Sequence, residues 1–334
     1  MRQVVLARSL TSRPCAADFT LIESAMPEVR AGELLLRVVY LSLDPYVGSI
    51  LRGRHMGEAP PEPGNVIPGR GLGQVLVSKA PGYSAGDYVL AETGWRDHAV
   101  VKADCVRRVG TGIAPLSAYL GAAGMPGLTA YAGLHHLAKI RGGENVLISS
   151  AAGAVGGTAG QIAKILGASR VIGLAGSDKK CSLTVQNYGF DDCINYRTPD
   201  WQDKLRAAFP QGIDVYFDNV GGELLMAALT NLAHYGRIVL CGLASQYHAE
   251  ERPAGPNPGL YIAKRAQLFG LVVYDFEKEQ DAYSEMAGEW IRQRQLVVME
   301  DRVDGLENAP HHFEKLMRGE NLGKAIVVVG PEAQ

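Results

Sequence analysis

The chain has 334 residues, with 33 Lys and Arg against 35 Asp and Glu and a formal net charge of −2. That length suits two domains of about 100–200 residues each, and near neutrality gives no pull towards nucleic acid or an anionic membrane surface. No apolar run reaches the roughly twenty residues needed to span a bilayer, and the first residues, MRQVVLARSLTSRPC, lack a signal-peptide apolar core, so a cytoplasmic protein is expected.

The first fifty residues read as β-structure: Val4–Leu6, Phe19–Ile22 and a long run, Glu33–Leu43, bracketed by Gly32 and Pro45. Residues 51–70 are rich in Gly and Pro and read as a functional loop. Gln74–Ser78 and Asp87–Glu92 resume short strands, with turns at Pro81-Gly82 and Gly86, which suggests a small barrel-like β domain. From Leu116 the chain turns apolar and helical, interrupted at Pro126.

Residues 145–176 carry the strongest signal. Val146–Ile148 reads as a buried strand, Ala151-Ala-Gly153-Ala154-Val155-Gly156 as a small-residue turn, Val155–Leu166 as a helix and Val171–Leu174 as a second strand. Strand, glycine turn, helix and strand in about thirty residues is the dinucleotide-binding unit. The backbone N–H groups approach a pyrophosphate there and the helix N-terminus adds positive charge. Further helices are expected at 179–188, 201–209 and 223–232, with strands at 193–194, 213–217, 236–241 and 267–273. Six strands with intervening helices describe a doubly wound parallel sheet. A helix over about 279–294 follows, and the tail Gly323–Val329 reads as a strand returning to the first domain.

An NAD site places an acid at the end of the second strand to bind the ribose 2′-hydroxyl. Here that position is Ala175-Gly176, followed by Ser177-Asp178-Lys179-Lys180. No carboxylate would repel a 2′-phosphate and two lysines can neutralise one, so NADPH is expected over NADH. Asp178 at the helix start can serve as its cap.

Other motifs lack their context. Gly82-Tyr-Ser84-Ala-Gly86 matches G-x-S-x-G, but a strand follows it instead of a helix, so it reads as a surface turn. His135-His136 and His311-His312 read as surface or capping residues. No His-Glu-x-x-His or C-x-x-C pattern occurs among the eight histidines and five cysteines, so no metal site is assembled.

LSLDPY (41–46), MPGLTAY (125–131), AAGAVG (151–156), AGSDKK (175–180), FDNVGGE (217–223), CGLASQY (241–247) and NLGKAIV (321–327) occur in this order. The set resembles the zinc-independent medium-chain dehydrogenase/reductases of the leukotriene B4 12-hydroxydehydrogenase, prostaglandin reductase and curcumin reductase subfamily. The resemblance implies an α/β fold: a GroES-like β-barrel domain (1–122 and 306–334) and a Rossmann doubly wound six-stranded parallel sheet (123–305). It implies a homodimer and NADPH-dependent reduction of the C=C bond of an enone or enal. For the cofactor it implies Gly153, Ala154, Val155 and Gly156 at the pyrophosphate, and Gly176, Ser177, Lys180 and Tyr196 at the 2′-phosphate. Met125, Thr129, Val272, Val273 and Tyr274 would lie around the nicotinamide. Asn219, Val220, Cys241, Gly242, Tyr247 and Asn321 would make further cofactor contacts.

Tyr247 and Tyr46 are the catalytic candidates. Tyr247 would stabilise the enolate directly or through the nicotinamide ribose hydroxyl. The subfamily's DPYMRGRM appears here as Asp44-Pro-Tyr46-Val-Gly48-Ser49, without the arginine at 48. Loops 51–70 and 245–260 are expected to cover the substrate. An NADPH:quinone reductase shares this fold and hydride donor, and an NADPH-binding protein without efficient catalysis is a reading of another class.

Overall fold

Alternating apolar residues in the first third of the chain build antiparallel strands, and continuous apolar runs in the middle build parallel ones. The computed structural model describes every residue except Met56, Glu58, Ala114, 248–253 and 333–334. Two units emerge, Met1–Leu120 with Glu300–Gln334, and Gly121–Met299.

The first unit begins with β1 (Arg2–Leu6) and β2 (Phe19–Glu23), which pair with each other. Next come β3 (Glu33–Ser42), α1 (Pro45–Ile50), β4 (Arg70–Ser78), β5 (Tyr88–Glu92), β6 (His98–Lys102) and β7 (Arg107–Val109). Trp95 anchors the core. Its ring stacks on Phe19 at 5.5 Å between centroids, and Gly69 makes room for it, since a Cβ there would lie 2.9 Å from the indole. The Gly82–Gly86 segment is the exposed turn between β4 and β5, with the Ser84 N–H donating to Asp87 at 2.8 Å.

Asp18, buried beside β2, accepts from the Cys15 N–H at 2.8 Å and from Arg8 Nε at 2.6 Å. Burial pushes its pKa up, but the Cys15 and Arg8 hydrogen bonds outweigh this and hold it below the ordinary 3.8. A carboxyl depressed in the folded state stabilises above its unfolded pKa and loses that contribution as pH falls through the folded value. Asp18→Asn should therefore flatten the acid limb of the stability–pH curve below about pH 4. Denaturant midpoints of both proteins between about pH 2 and 7 would show this, and parallel curves would refute it.

The second unit starts with α2 (Met125–Tyr131), where Pro126 sits in the first turn. It therefore opens the helix, where no N–H is needed, rather than interrupting one. Then follow β8 (Asn145–Ser149), α3 (Ala154–Ile165), β9 (Arg170–Ala175), α4 (Asp178–Tyr188), β10 (Asp192–Asn195), α5 (Trp201–Ala208), β11 (Ile213–Asp218), α6 (Gly222–Thr230), β12 (Leu232–Leu240), α7 (Pro258–Lys264), β13 (Gln267–Gly270) and α8 (Gln280–Arg292). The strands form one sheet in the order β10-β9-β8-β11-β12-β13, every pair parallel. This is the doubly wound order in which strand direction of travel reverses beside β8.

Leu147, Ile172, Tyr216 and Ile238 from four strands pack with Trp201 and Leu205 of α5 and Leu224, Leu225 and Leu229 of α6. Trp201, Leu205 and Ala208 recur at helical spacing on the one buried face of α5. Burying a side chain of this size contributes about 1.5–3 kcal/mol.

The chain then returns to the first unit as β14 (Glu300–Asp304), α9 (Ala309–Met317) and β15 (Lys324–Val328). The seven-stranded sheet there runs β14-β15-β3-β4-β5-β7, with β6 also on β3. Seven elements differ from the sequence reading. α1, α7, α9, β6, β7 and β14 were not expected, and β13 stops at Gly270, so Val273 and Tyr274 stand in a 3₁₀ turn, Val273–Glu279. His312 is buried, its Nε2 2.8 Å from the Asp301 carbonyl, rather than on the surface. His136 is partly exposed, its Nε2 2.7 Å from Glu279 Oε2.

Candidate active site

In the second unit, the expected cofactor residues other than Met125 and Thr129 of α2 follow the C-terminal ends of the parallel strands, the ligand-binding edge of such sheets. β8 ends at Ser149, and Ser150 takes a positive φ of 52° to turn the chain. Gly153 is the extended N-cap of α3, and Ala154, Val155 and Gly156 form its first turn. A Cβ on Gly156 would lie 2.3 Å from the Ser150 carbonyl oxygen, so only glycine lets α3 close against the strand end. Ala151 replaces the first glycine of the usual pattern because β9 compensates. Gly173 has no side chain, and a Cβ on it would meet the Ala151 methyl at 2.6 Å. The dipole of a twelve-residue helix thus points its N-terminus at the turn.

At the end of β9, Gly176 leads into α4. Ser177 is the cap, its Oγ accepting from the Lys180 N–H at 3.3 Å. Asp178 does not cap; it accepts from Asn195 Nδ2 at 2.8 Å, which turns this carboxylate towards β10. The Tyr196 hydroxyl and Arg197 Nε lie 2.9 and 3.5 Å from where a Gly176 Cβ would stand. Gly176, Ser177, Lys180 and Tyr196 thus sit around one strand end, joined by Arg197, a cation that sequence reading missed. A basic residue directly after Tyr196 was the available signal.

β11 ends at Asp218, which is fully buried. Asn219 follows, its N–H donating to Ser149 Oγ and its Nδ2 to the Ser149 carbonyl, both at 2.8 Å. The Val220 N–H donates to Asp218 at 2.9 Å. The Cys241 and Gly242 N–H groups donate to the Asp218 carbonyl at 2.8 and 3.1 Å, which ties the loop after β12 to the same point. Burial, then the Asp218 charge, pushes the Cys241 thiol up to about 12. The Tyr247 hydroxyl folds back to 3.1 Å from where a Gly242 Cβ would stand. Burial raises its pKa, so it is a neutral hydrogen-bond donor near pH 7.

Thr129 donates to the Met125 carbonyl at 2.7 Å within α2. Val272 and Tyr274 are 41% and 45% exposed beyond β13, open to a ligand. The strand-end glycines, the Gly176 cations and the helix N-terminus are the chemistry a phosphorylated dinucleotide needs, so these residues fit NADPH.

The remaining two residues lie in the first unit. Asn321 is buried, its Nδ2 donating to the Gly323 carbonyl at 2.8 Å. Tyr46 is half-buried in the first turn of α1, its ring 5.5 Å from that of His55. A second missed cation stands near it. Arg70 Nε binds Glu92 at 3.1 Å. Burial opposes the Arg70 charge, but Glu92, Tyr46 and Asp44 together raise its pKa. A Cβ at position 48 would lie 2.5 Å from Met317 Cε, the end of a flexible side chain, so the subfamily's arginine would need that methyl to move. Of the two covering loops, Met56, Glu58 and 248–253 lie outside the described residues.

A family model described as an N-terminal domain of oxidoreductase matches residues 2–109, and one described as a zinc-binding dehydrogenase matches 154–290. Among the described residues no group of three or more His, Cys, Asp or Glu is placed to hold a metal ion. The NADP(+)-dependent 2-alkenal reductase of Nicotiana tabacum is 38% identical over 340 residues, covering 99% of this chain and 98% of that one. The NADPH-dependent curcumin reductase of Escherichia coli K12 is 36% identical, covering 98% and 96%. The crystal structure of CurA from Vibrio vulnificus in complex with NADPH superposes with a TM-score of 0.92 at 36% identity, covering 99% and 100%. Likeness along the whole length, in both units, to the alkenal and curcumin reductases places the chain in the zinc-independent medium-chain dehydrogenase/reductase family.

Proposed function

We propose that the protein reduces the C=C bond of α,β-unsaturated ketones or aldehydes with NADPH, as a cytoplasmic homodimer. The observation that carries the reading is the near full-length likeness to the alkenal and curcumin reductases. The residues gathered at Gly176 support the choice of cofactor. NADPH supplies the hydride when bound.

Gly153, Ala154, Val155 and Gly156 hold the pyrophosphate, and Gly176, Ser177, Lys180, Tyr196 and Arg197 the 2′-phosphate. Met125, Thr129, Asn219, Val220, Cys241, Gly242, Val272, Val273, Tyr274 and Asn321 complete the cofactor contacts. Reduction at the β-carbon builds negative charge on the substrate's carbonyl oxygen. Tyr247 donates to that oxygen or fixes the ribose hydroxyl that does, and oxyanion donors contribute about 3–4 kcal/mol. Tyr46 is the second catalytic candidate.

Five cysteines without a disulfide suit a reducing compartment. No described helix is long and apolar enough to cross a membrane. For the dimer, β13 is the end strand of its sheet among the described residues, with Leu268 46% exposed on it.

Following NADPH absorbance with a panel of alkenals, enones and quinones tests the reading. Faster turnover of simple quinones would favour a quinone reductase. NADPH binding without oxidation across the panel would leave a binding protein. Tyr247→Phe should lower kcat by about a hundred- to a thousand-fold. Unchanged turnover would remove Tyr247 from the chemistry.

A further inference from the structure

Asp218 is a buried carboxylate for which the chemistry above has no use. It is 0% exposed at the end of β11. Four donors converge on its Oδ1: the Tyr216 hydroxyl at 2.8 Å, the Val220 N–H at 2.9 Å, and the Gly221 N–H and Ser149 hydroxyl at 3.0 Å. Its Oδ2 is buried with no hydrogen-bond partner among the described residues. Four donors on one oxygen, and no acceptor facing the other, is the arrangement of an anion. A buried oxygen left without donors is costly to keep.

The sheet order says which part of the cofactor this charge faces. The phosphate turn follows β8, and the 2′-phosphate residues end β9 and β10 on one side of it. A dinucleotide laid across the strand ends puts its other half over β11, β12 and β13. Asp218 ends β11, the first strand on that side. The neighbouring ionisable groups do not cancel its charge. The Tyr216 and Tyr261 hydroxyls and the Cys241 thiol are each pushed up, by burial first and then by Asp218, and stay neutral.

We propose that Asp218 is a positioning residue of the reductase whose buried negative charge favours the oxidised, cationic nicotinamide over the reduced, neutral one. Through Ser149 it fixes Asn219, and through its carbonyl it fixes Cys241 and Gly242, so the loops after β8, β11 and β12 share one buried anchor. Its charge also stabilises the positive ring left after a hydride has been given up. The inference rests on the NADPH placement proposed above.

Equilibrium titration of wild type, Asp218→Asn and Tyr216→Phe with NADPH and with NADP⁺, separately, tests it. Asp218→Asn keeps the shape and removes the charge. It should lower affinity for NADP⁺ about ten-fold more than for NADPH, the scale of one unit charge acting over about 12 Å at an effective dielectric of about 20. A loss of packing alone would weaken both alike. A folded Asp218→Asn with an unchanged NADP⁺ to NADPH affinity ratio overturns the proposal. Should that variant fail to fold, Tyr216→Phe decides, because it withdraws one donor and leaves the charge. Its affinity ratio should rise towards NADP⁺, and an unchanged or lower ratio overturns the proposal. Wild type that binds neither nucleotide would instead bring down the cofactor reading itself.

Discussion

Replacing Lys324 by alanine should destabilise the protein by about 3–5 kcal/mol. Lys324 Nζ donates to Asp44 Oδ1 and to the Leu43 carbonyl, both at 2.7 Å, and the two charged side chains are only 4% and 11% exposed. Asp44 also accepts from the Ser42 hydroxyl. The pair clasps the end of β3, the N-terminus of α1 with its Tyr46, and the start of β15. Removing only the lysine leaves a carboxylate enclosed without its counter-ion, which costs far more than the pair contributes. Replacing both partners, Lys324→Met with Asp44→Leu, should recover most of the loss. Denaturant midpoints with unchanged slope would measure both. A single variant that loses less than about 1 kcal/mol would show that Asp44 finds water or another donor.

Alanine at Lys180 and Arg197 together should weaken NADPH binding by about a hundred-fold and leave NADH within about three-fold. Only the 2′-phosphate distinguishes the two nucleotides, so cations that contact it act on one alone. Arg197 Nε stands 3.5 Å from the Gly176 Cβ position, and the Ser177 cap starts α4 with the Lys180 N–H bound, which fixes where the lysine stem begins. Parallel titrations with the two nucleotides measure the effect. Equal losses for both would place these cations outside the phosphate site.

The dinucleotide-binding half was the most legible part of the chain. Its strands are short unbroken apolar runs, because both sheet faces are covered, and its helices carry one buried stripe. What escaped the sequence escaped for local reasons. α1 has six residues, too few to show a period, and its opening Asp44-Pro45 reads equally as a strand end. β14 is Glu-Asp-Arg-Val-Asp, with no apolar alternation, because its pairing with β15 is held by backbone register. Arg197 and Arg70 are single arginines with no motif around them, and only folding brings them beside Gly176 and Tyr46. Ala151 looked like a defect in the glycine pattern, yet its compensating partner, Gly173, is twenty-two residues away on another strand.

The place of β15 in its sheet bears on how the chain folds. β15 lies between β14 and β3, antiparallel to β3, with Ile326 opposite Ser42. The first unit therefore waits for a strand made nearly three hundred residues after its neighbour. The six strands of the second unit are all contributed by one continuous stretch. During synthesis, the nucleotide-binding sheet can close while β3 still has an open edge, and contacts of such long sequence separation form slowly. A ribosome-stalled chain ending before β15 would then hold a formed second unit beside an unfinished first one, and would be the form of this protein most in need of a chaperone.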